Sequence, residues 1–140
     1  MLPRAVMDTN VLYTAFRSSA GASFALFRRL RLGDWTAVVS NHLLFEYEEI
    51  LKNNAAELGL SLEDVDDLLN AICARAEACV LQAGWEPILP DPDDEPLAQL
   101  AWESGSKRII TYNHRHLRPV LHLGIEILKP SEFLAILPKS

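Results

Sequence analysis

The feature that most constrains this chain is a unit that recurs: a short apolar run, then one or two small polar residues, then a helical pattern with almost no loop between. Ala5-Val6-Met7 runs into Asp8-Thr9-Asn10, Ala37-Val38-Val39 into Ser40-Asn41, and Ile109-Ile110 into Thr111. Apolar runs of this length read as strands buried on both faces, and the small polar residues are those that cap helices. Repeated from end to end, strand then helix predicts a parallel sheet with helices on both sides, a three-layer α/β/α arrangement. The 140 residues suit a single domain over 1–140.

Periodicity fills in the rest. Helices are expected from about Val11 to Arg17, from Ser23 to Leu32, from His42 to Asn54, and after Ser61-Leu62-Glu63-Asp64 as far as Ala78. Val80-Leu81 is expected as a short edge strand, and Pro87, Pro90 and Pro92 make the following segment extended. A helix beginning near Asp94 and Pro96 leads to the strand ending at Thr111. Glu126-Ile127-Leu128 is a last strand, and Ser131 caps a last helix. Trp35, Trp85 and Trp102 are read as core or interface residues.

Composition sets outer bounds. The net charge of −6 argues against a protein that coats nucleic acid nonspecifically, although it allows an acidic, metal-filled centre with a local basic rim. No apolar run approaches a bilayer span and no signal-peptide pattern opens the chain, so a cytoplasmic location without membrane contact is expected. Cys73 and Cys79 have neither metal-ligand spacing nor a disulfide geometry, and are expected as buried free thiols.

Three acidic positions stand out. In an open α/β sheet, ligands collect where strands end and helices begin, which makes Asp8 a candidate for chemistry; the same residue could simply cap the next helix. Glu46 lies on or beside the inward stripe of Leu43, Tyr47 and Ile50, where a carboxylate needs a cation unless it reaches outward to water. Asp91, Asp93, Asp94 and Glu95 crowd one helix start, where Asp93 or Asp94 is the expected cap and the excess suggests a divalent cation or dipole complementarity. The pattern leaves the start of that helix on the far edge of the sheet unless the proline-rich segment crosses over. The run Asp64, Asp66, Asp67 reads as a solvated face. Arg17, Arg28, Arg29 and Arg31, with Arg115 and Arg118, are candidate phosphate guides or plain surface groups, and His114 and His116 are candidate metal or phosphate contacts or plain surface groups.

Taken in order, Val6-Met7-Asp8-Thr9-Asn10-Val11-Leu12, Val38-Val39-Ser40 with Leu44-Phe45-Glu46-Tyr47-Glu48-Glu49-Ile50-Leu51, Asp91-Pro92-Asp93-Asp94-Glu95-Pro96-Leu97-Ala98, Ile110-Thr111-Tyr112-Asn113 and Lys129-Pro130-Ser131-Glu132-Phe133-Leu134 resemble the motifs of the PIN-domain family. More narrowly, they resemble the VapC-like toxins of toxin–antitoxin systems. The resemblance implies a Mg²⁺- or Mn²⁺-dependent endoribonuclease acting on single-stranded RNA, with Asp8, Glu46 and Asp94 as metal-binding catalytic acids. It makes Asn10, Asp91, Thr111 and Asn113 possible auxiliary residues, and it implies an antitoxin protein and a homodimer paired through apolar helices as partners.

One motif departs from the pattern. Many relatives carry Thr-Gly-Asp where this chain has Thr111-Tyr112-Asn113; an Asn brings no negative charge, so one metal or two, and a noncatalytic RNA- or protein-binding module, remain open alternatives. A haloacid-dehalogenase-like phosphatase is disfavoured, because it would want an Asp where Asn10 stands. A response-regulator receiver lacks its acidic pair.

Overall fold

The computed structural model describes residues 1–139. Five parallel strands, β1 (Arg4–Met7), β2 (Thr36–Val39), β3 (Ala76–Ala78), β4 (Arg108–Ile110) and β5 (Glu126–Leu128), form one sheet in the order β3-β2-β1-β4-β5. Around it lie helices α1 (Thr9–Arg17), α2 (Ala22–Arg31), α3 (Asn41–Asn53), α4 (Ala55–Leu58), α5 (Leu62–Cys73), α6 (Glu95–Glu103), α7 (His114–Leu117) and α8 (Pro130–Ile136). Short 3-10 turns cover Pro92–Asp94 and Arg118–Leu123. The expected α/β/α arrangement with a small parallel sheet is the one the chain adopts.

The order of strands explains where a site can form. The chain starts in the middle of the sheet, builds outward through β2 and β3, then returns to the other side of β1 for β4 and β5. At such a reversal the helices after neighbouring strands leave in opposite directions, which opens a crevice at the C-terminal ends of the strands. Val6 and Met7 pair with Ile109 and Ile110 in register, so Asp8 and Thr111, each the next residue, emerge side by side at that crevice. The central strands are apolar throughout because helices cover both faces: Ala5, Val6, Ala37, Val38, Ile109 and Ile110 are fully buried.

Two aromatic side chains fix layers to one another. Trp35 is buried, donates its indole N–H to the Leu26 carbonyl of α2 at 3.0 Å, and meets Phe133 of α8 edge-on at 5.1 Å between ring centroids. Tyr47 of α3 is fully buried and donates its hydroxyl to the Met7 carbonyl at the end of β1.

Several expectations are corrected. Helix α5 stops at Cys73, and Ala76–Ala78 form β3, paired with β2 as Ala37↔Ala76 and Val39↔Ala78; Val80-Leu81 lie beyond the strand. Alanines favour helix in isolation, but an open edge of β2 offers their backbone a ladder of hydrogen bonds. Cys73 is exposed and Cys79 half-buried, because one follows the last inward residue of α5, Ile72, and the other follows an edge strand. Of the two places expected for Trp102, only the core is excluded: the side chain is 42% exposed, with the Lys107 ammonium over its ring at 5.2 Å. Ser131 does not cap α8: Lys129 holds the cap position, its N–H donating to Glu132 at 2.8 Å, and Pro130 opens the helix. Among the described residues no helix is long and apolar enough to cross a membrane.

Replacing Tyr47 with Phe leaves the buried Met7 carbonyl without this donor. The expected loss is about 1–2 kcal/mol, read as a lower urea midpoint with an unchanged slope.

Candidate active site

Asp8 occupies the cap position of α1 with extended backbone, and one carboxylate oxygen accepts the Thr9 N–H at 2.7 Å. Its other oxygen accepts the Thr111 hydroxyl at 2.7 Å. Thr111 is fully buried, and its oxygen in turn accepts the Asn113 N–H at 2.9 Å and, more weakly, the Asn10 side-chain amide at 3.4 Å. With two N–H groups on its lone pairs, the hydroxyl has only its proton to offer Asp8. Asn10 also receives the Tyr112 N–H at 3.4 Å, tying α1 to the end of β4. Capping and chemistry are therefore compatible readings of Asp8. Burial pushes its carboxyl up from the usual range and the Glu46 charge adds to the rise, while the bonds from Thr111 and Thr9 oppose it.

Glu46 projects from α3 at the rim, its side chain 43% exposed, rather than into the core. The Thr9 hydroxyl and His42 Nε2, one turn earlier on α3, each lie 3.4 Å from a different oxygen of its carboxylate. Tyr47, the next residue, takes the inward position.

Asp94 reaches the same edge by a route that helix direction makes necessary. Helix α6 runs antiparallel to the strand it feeds, so its start lies at the C-terminal ends of the strands, and the expectation of the far edge is corrected. The four crowded acids divide their duties. Asp91 caps the 3-10 turn, accepting the Asp93 N–H at 2.9 Å, while Asp94 holds the expected N-cap position of α6. Glu95 is buried and accepts the Trp85 indole N–H at 2.8 Å and the Ile88 N–H at 2.7 Å, with the Leu89 N–H beside them, which clamps the proline-rich segment onto α6. Asp94 makes no capping bond, so its carboxylate is uncommitted. Burial raises its pKa, the Asp91, Asp8 and Asp93 charges add to the rise, and His116 opposes it.

Asp8, Glu46 and Asp94, drawn from three distant stretches, line one cleft of roughly 280 Å³ together with Glu49, Asp93 and His42, over apolar walls of Leu43, Leu97 and Leu100. Asn10 and Thr111 support Asp8 from below, while Asp91 and Asn113 do not line the cleft. Sequence reasoning misses His42, Glu49 and Asp93 as members of the cleft. The signal was present for two of them: His42, Glu46 and Glu49 fall at i, i+4 and i+7, one stripe of a helix.

An all-carboxylate, thiol-free donor set with unbalanced negative charge fits a hard divalent cation. Among the described residues no three His, Cys, Asp or Glu side chains converge as a ready-made metal cage. Ions such as Mg²⁺ keep several waters and take few protein ligands, so a wide acidic cleft suits them.

A sequence model of the PIN domain matches residues 4–115, from the first residue of β1 into α7. The chain belongs to the PIN-domain family. The matched span contains all three cleft acids and the fourth motif at Thr111-Tyr112-Asn113, whereas β5 and α8 lie beyond it. PIN domains are commonly nucleases, and PIN nucleases generally use divalent metals. No curated protein matches the chain.

The raised pKa of Asp94 has a consequence for stability. The folded chain holds this proton to higher pH than the unfolded chain does, so the contribution is fullest below the unfolded carboxyl range and is lost as pH rises through the folded pKa. At pH 7 without metal the charge is a net cost. Asp94→Asn, which breaks no side-chain hydrogen bond, is expected to raise the melting temperature in EDTA at pH 7 by about 2 °C, with the gap closing toward pH 4. Equal melting at pH 7 contradicts the repulsion.

Proposed function

We propose that this PIN domain is a Mg²⁺- or Mn²⁺-dependent endoribonuclease that hydrolyses phosphodiester bonds in single-stranded RNA, and that it serves as the toxin of a toxin–antitoxin pair. The observation that carries the reading is the convergence of Asp8, Glu46 and Asp94 on one cleft at the reversal point of the sheet. Hydrolysis of a phosphodiester adds water to phosphorus and releases one ester oxygen, so the site must orient that water and balance the charge that builds on phosphate. Asp8, Glu46 and Asp94 would hold the cation. When bound, a divalent cation supplies Lewis-acid chemistry, acidifying water and neutralising phosphate charge.

The chain's own residues do the positioning. Thr9 N–H and the Thr111 hydroxyl fix both oxygens of Asp8, so this ligand is oriented before anything binds. Glu46 is half-exposed and free to adjust. Leu43, Leu97 and Leu100 make the walls apolar, which strengthens charge interactions inside the cleft. Asn113 adds no charge and lies off the cleft, which favours one cation over two. The same observation is what favours the second reading, a noncatalytic PIN module that binds RNA or protein. An antitoxin would act by covering the acidic cleft, chains would pair through apolar helix faces of α2 and α5, and a reducing cytoplasm suits the two free thiols.

A fluorogenic single-stranded RNA titrated with Mn²⁺ tests the reading. Cleavage is expected to appear with metal, to vanish in EDTA, and to fall at least about 100-fold in Asp8→Asn; calorimetry should give one Mn²⁺ per chain, lost in the same variant. Absence of cleavage, with RNA affinity unchanged in Asp8→Asn, selects the noncatalytic module instead. Growth arrest on expression of the native chain but not of Asp8→Asn tests the toxin role.

A further inference from the structure

The acids that would hold the cation also repel the backbone of a nucleic acid, and the chain as a whole carries a net charge of −6. A strand drawn to this cleft needs fixed positive charge beside it. Six of the thirteen Lys and Arg side chains are neutralised or engaged elsewhere. Arg4 pairs with Glu77, Arg29 with Asp34, Lys52 with Glu48 and Asp66, and Arg108 with Glu126. Arg31 shares a surface groove with Asp64 and Asp67, and Lys107 lies over Trp102.

The segment after β4 is different. Residues 114–122 contain two arginines and three histidines and no acid, and among the described residues neither Arg115 nor Arg118 forms an ion pair. Its buried residues fix which way it faces. Thr111, three residues before α7, holds Asp8, and Leu117 and Val120 are fully buried, so they pin α7 and the following 3-10 turn to the core. Arg115, His116 and Arg118 are exposed on the other side. The Thr111 hydroxyl bonds Asp8 at 2.7 Å and the Tyr112 N–H reaches Asn10 at 3.4 Å, so this exposed face starts at the β4 edge of the cleft. His114 is turned the other way: its Nε2 is buried with no hydrogen-bond partner.

We propose that Arg115 and Arg118 form a phosphate-binding wall on the β4 side of the cleft, holding two backbone phosphates of a single-stranded RNA next to the bond to be cut. The two guanidinium groups stand three residues apart, so they are neighbours on one face of a helical turn. Arginine suits the task because its planar fork can meet two phosphate oxygens at once and never loses its charge. The proposal rests on the nuclease reading for its substrate, and contributes binding and positioning rather than bond-breaking.

The test uses the 140-residue chain and a fluorescein-labelled single-stranded RNA, with binding followed by anisotropy across a salt series in an Asp8→Asn background that keeps the strand intact. The Arg115→Gln/Arg118→Gln pair is expected to lower the slope of log affinity against log salt by about 1.4, about 0.7 for each phosphate no longer neutralised, and to weaken binding at least about 10-fold at low salt. Arg115→Lys/Arg118→Lys should recover the slope, and Arg28→Gln should leave it unchanged; thermal melts check that each variant folds. In the otherwise native chain, the Gln pair should raise KM while kcat stays within about twofold, as expected when uniform binding is removed. RNA cleavage by the native chain with an unchanged salt slope in the Gln pair overturns the wall and leaves the nuclease reading standing. A reduced slope without any cleavage supports the wall and removes the nuclease reading, and no RNA binding at all overturns the wall.

Discussion

A single buried hydrogen bond, from the Tyr47 hydroxyl to the Met7 carbonyl, sets the spacing on which the site depends. Met7 is the residue before Asp8 and Tyr47 the residue after Glu46. The bond therefore joins the backbone behind one acid to the side chain beside the other, and it does so from a fully buried position where an unpaired partner is expensive. Thr111 performs the matching task from β4, so Asp8 is located by strand pairing, by α3 and by the end of a neighbouring strand at once. Burial and the Glu46 charge raise the cost of ionising Asp8, and the fold tolerates that because the core contacts behind it are extensive and apolar.

Much of this was legible in the sequence, for a physical reason. Strands buried on both faces must be apolar along their whole length, so β1, β2 and β4 announced themselves, and each ended at the polar residue expected. Ser40 capped α3 as its chemistry suggests, accepting the Leu43 N–H at 3.1 Å. What stayed hidden was decided by long-range pairing. The sequence of β3, Ala-Glu-Ala, has no strand character of its own and becomes a strand only because β2 is open beside it. The thiol positions failed for the same reason, since their burial depended on a helix that ends earlier than its periodicity suggests.

The site shows the same division. Asp8 and Glu46 could be picked out from their surroundings, one by position and the other by its place beside an apolar stripe. The acids at 91–95 could be counted but not sorted, because capping, clamping and lining the cleft are distinguished by which N–H groups come near, and the Trp85 indole and Ile88 amide that engage Glu95 are far from obvious in the chain. Sorting them leaves Asp93 and Asp94 as the acids without a side-chain duty, and both line the cleft with Asp8 and Glu46. Asn113, expected as an auxiliary residue, instead gives its backbone N–H to Thr111 and so helps orient Asp8 indirectly.

The clamp made by Glu95 also separates two kinds of change that a lineage can accumulate. Asp8 is fixed at the end of β1, whereas residues 79 to 90 lie outside regular structure and are fastened to α6 by the side chains of Glu95, Gln99 and Glu103. Substitutions between residues 79 and 90 can reshape the surface beside α6 while Asp8 keeps its place. A family built this way can diversify in what it accepts without rebuilding what holds its chemistry.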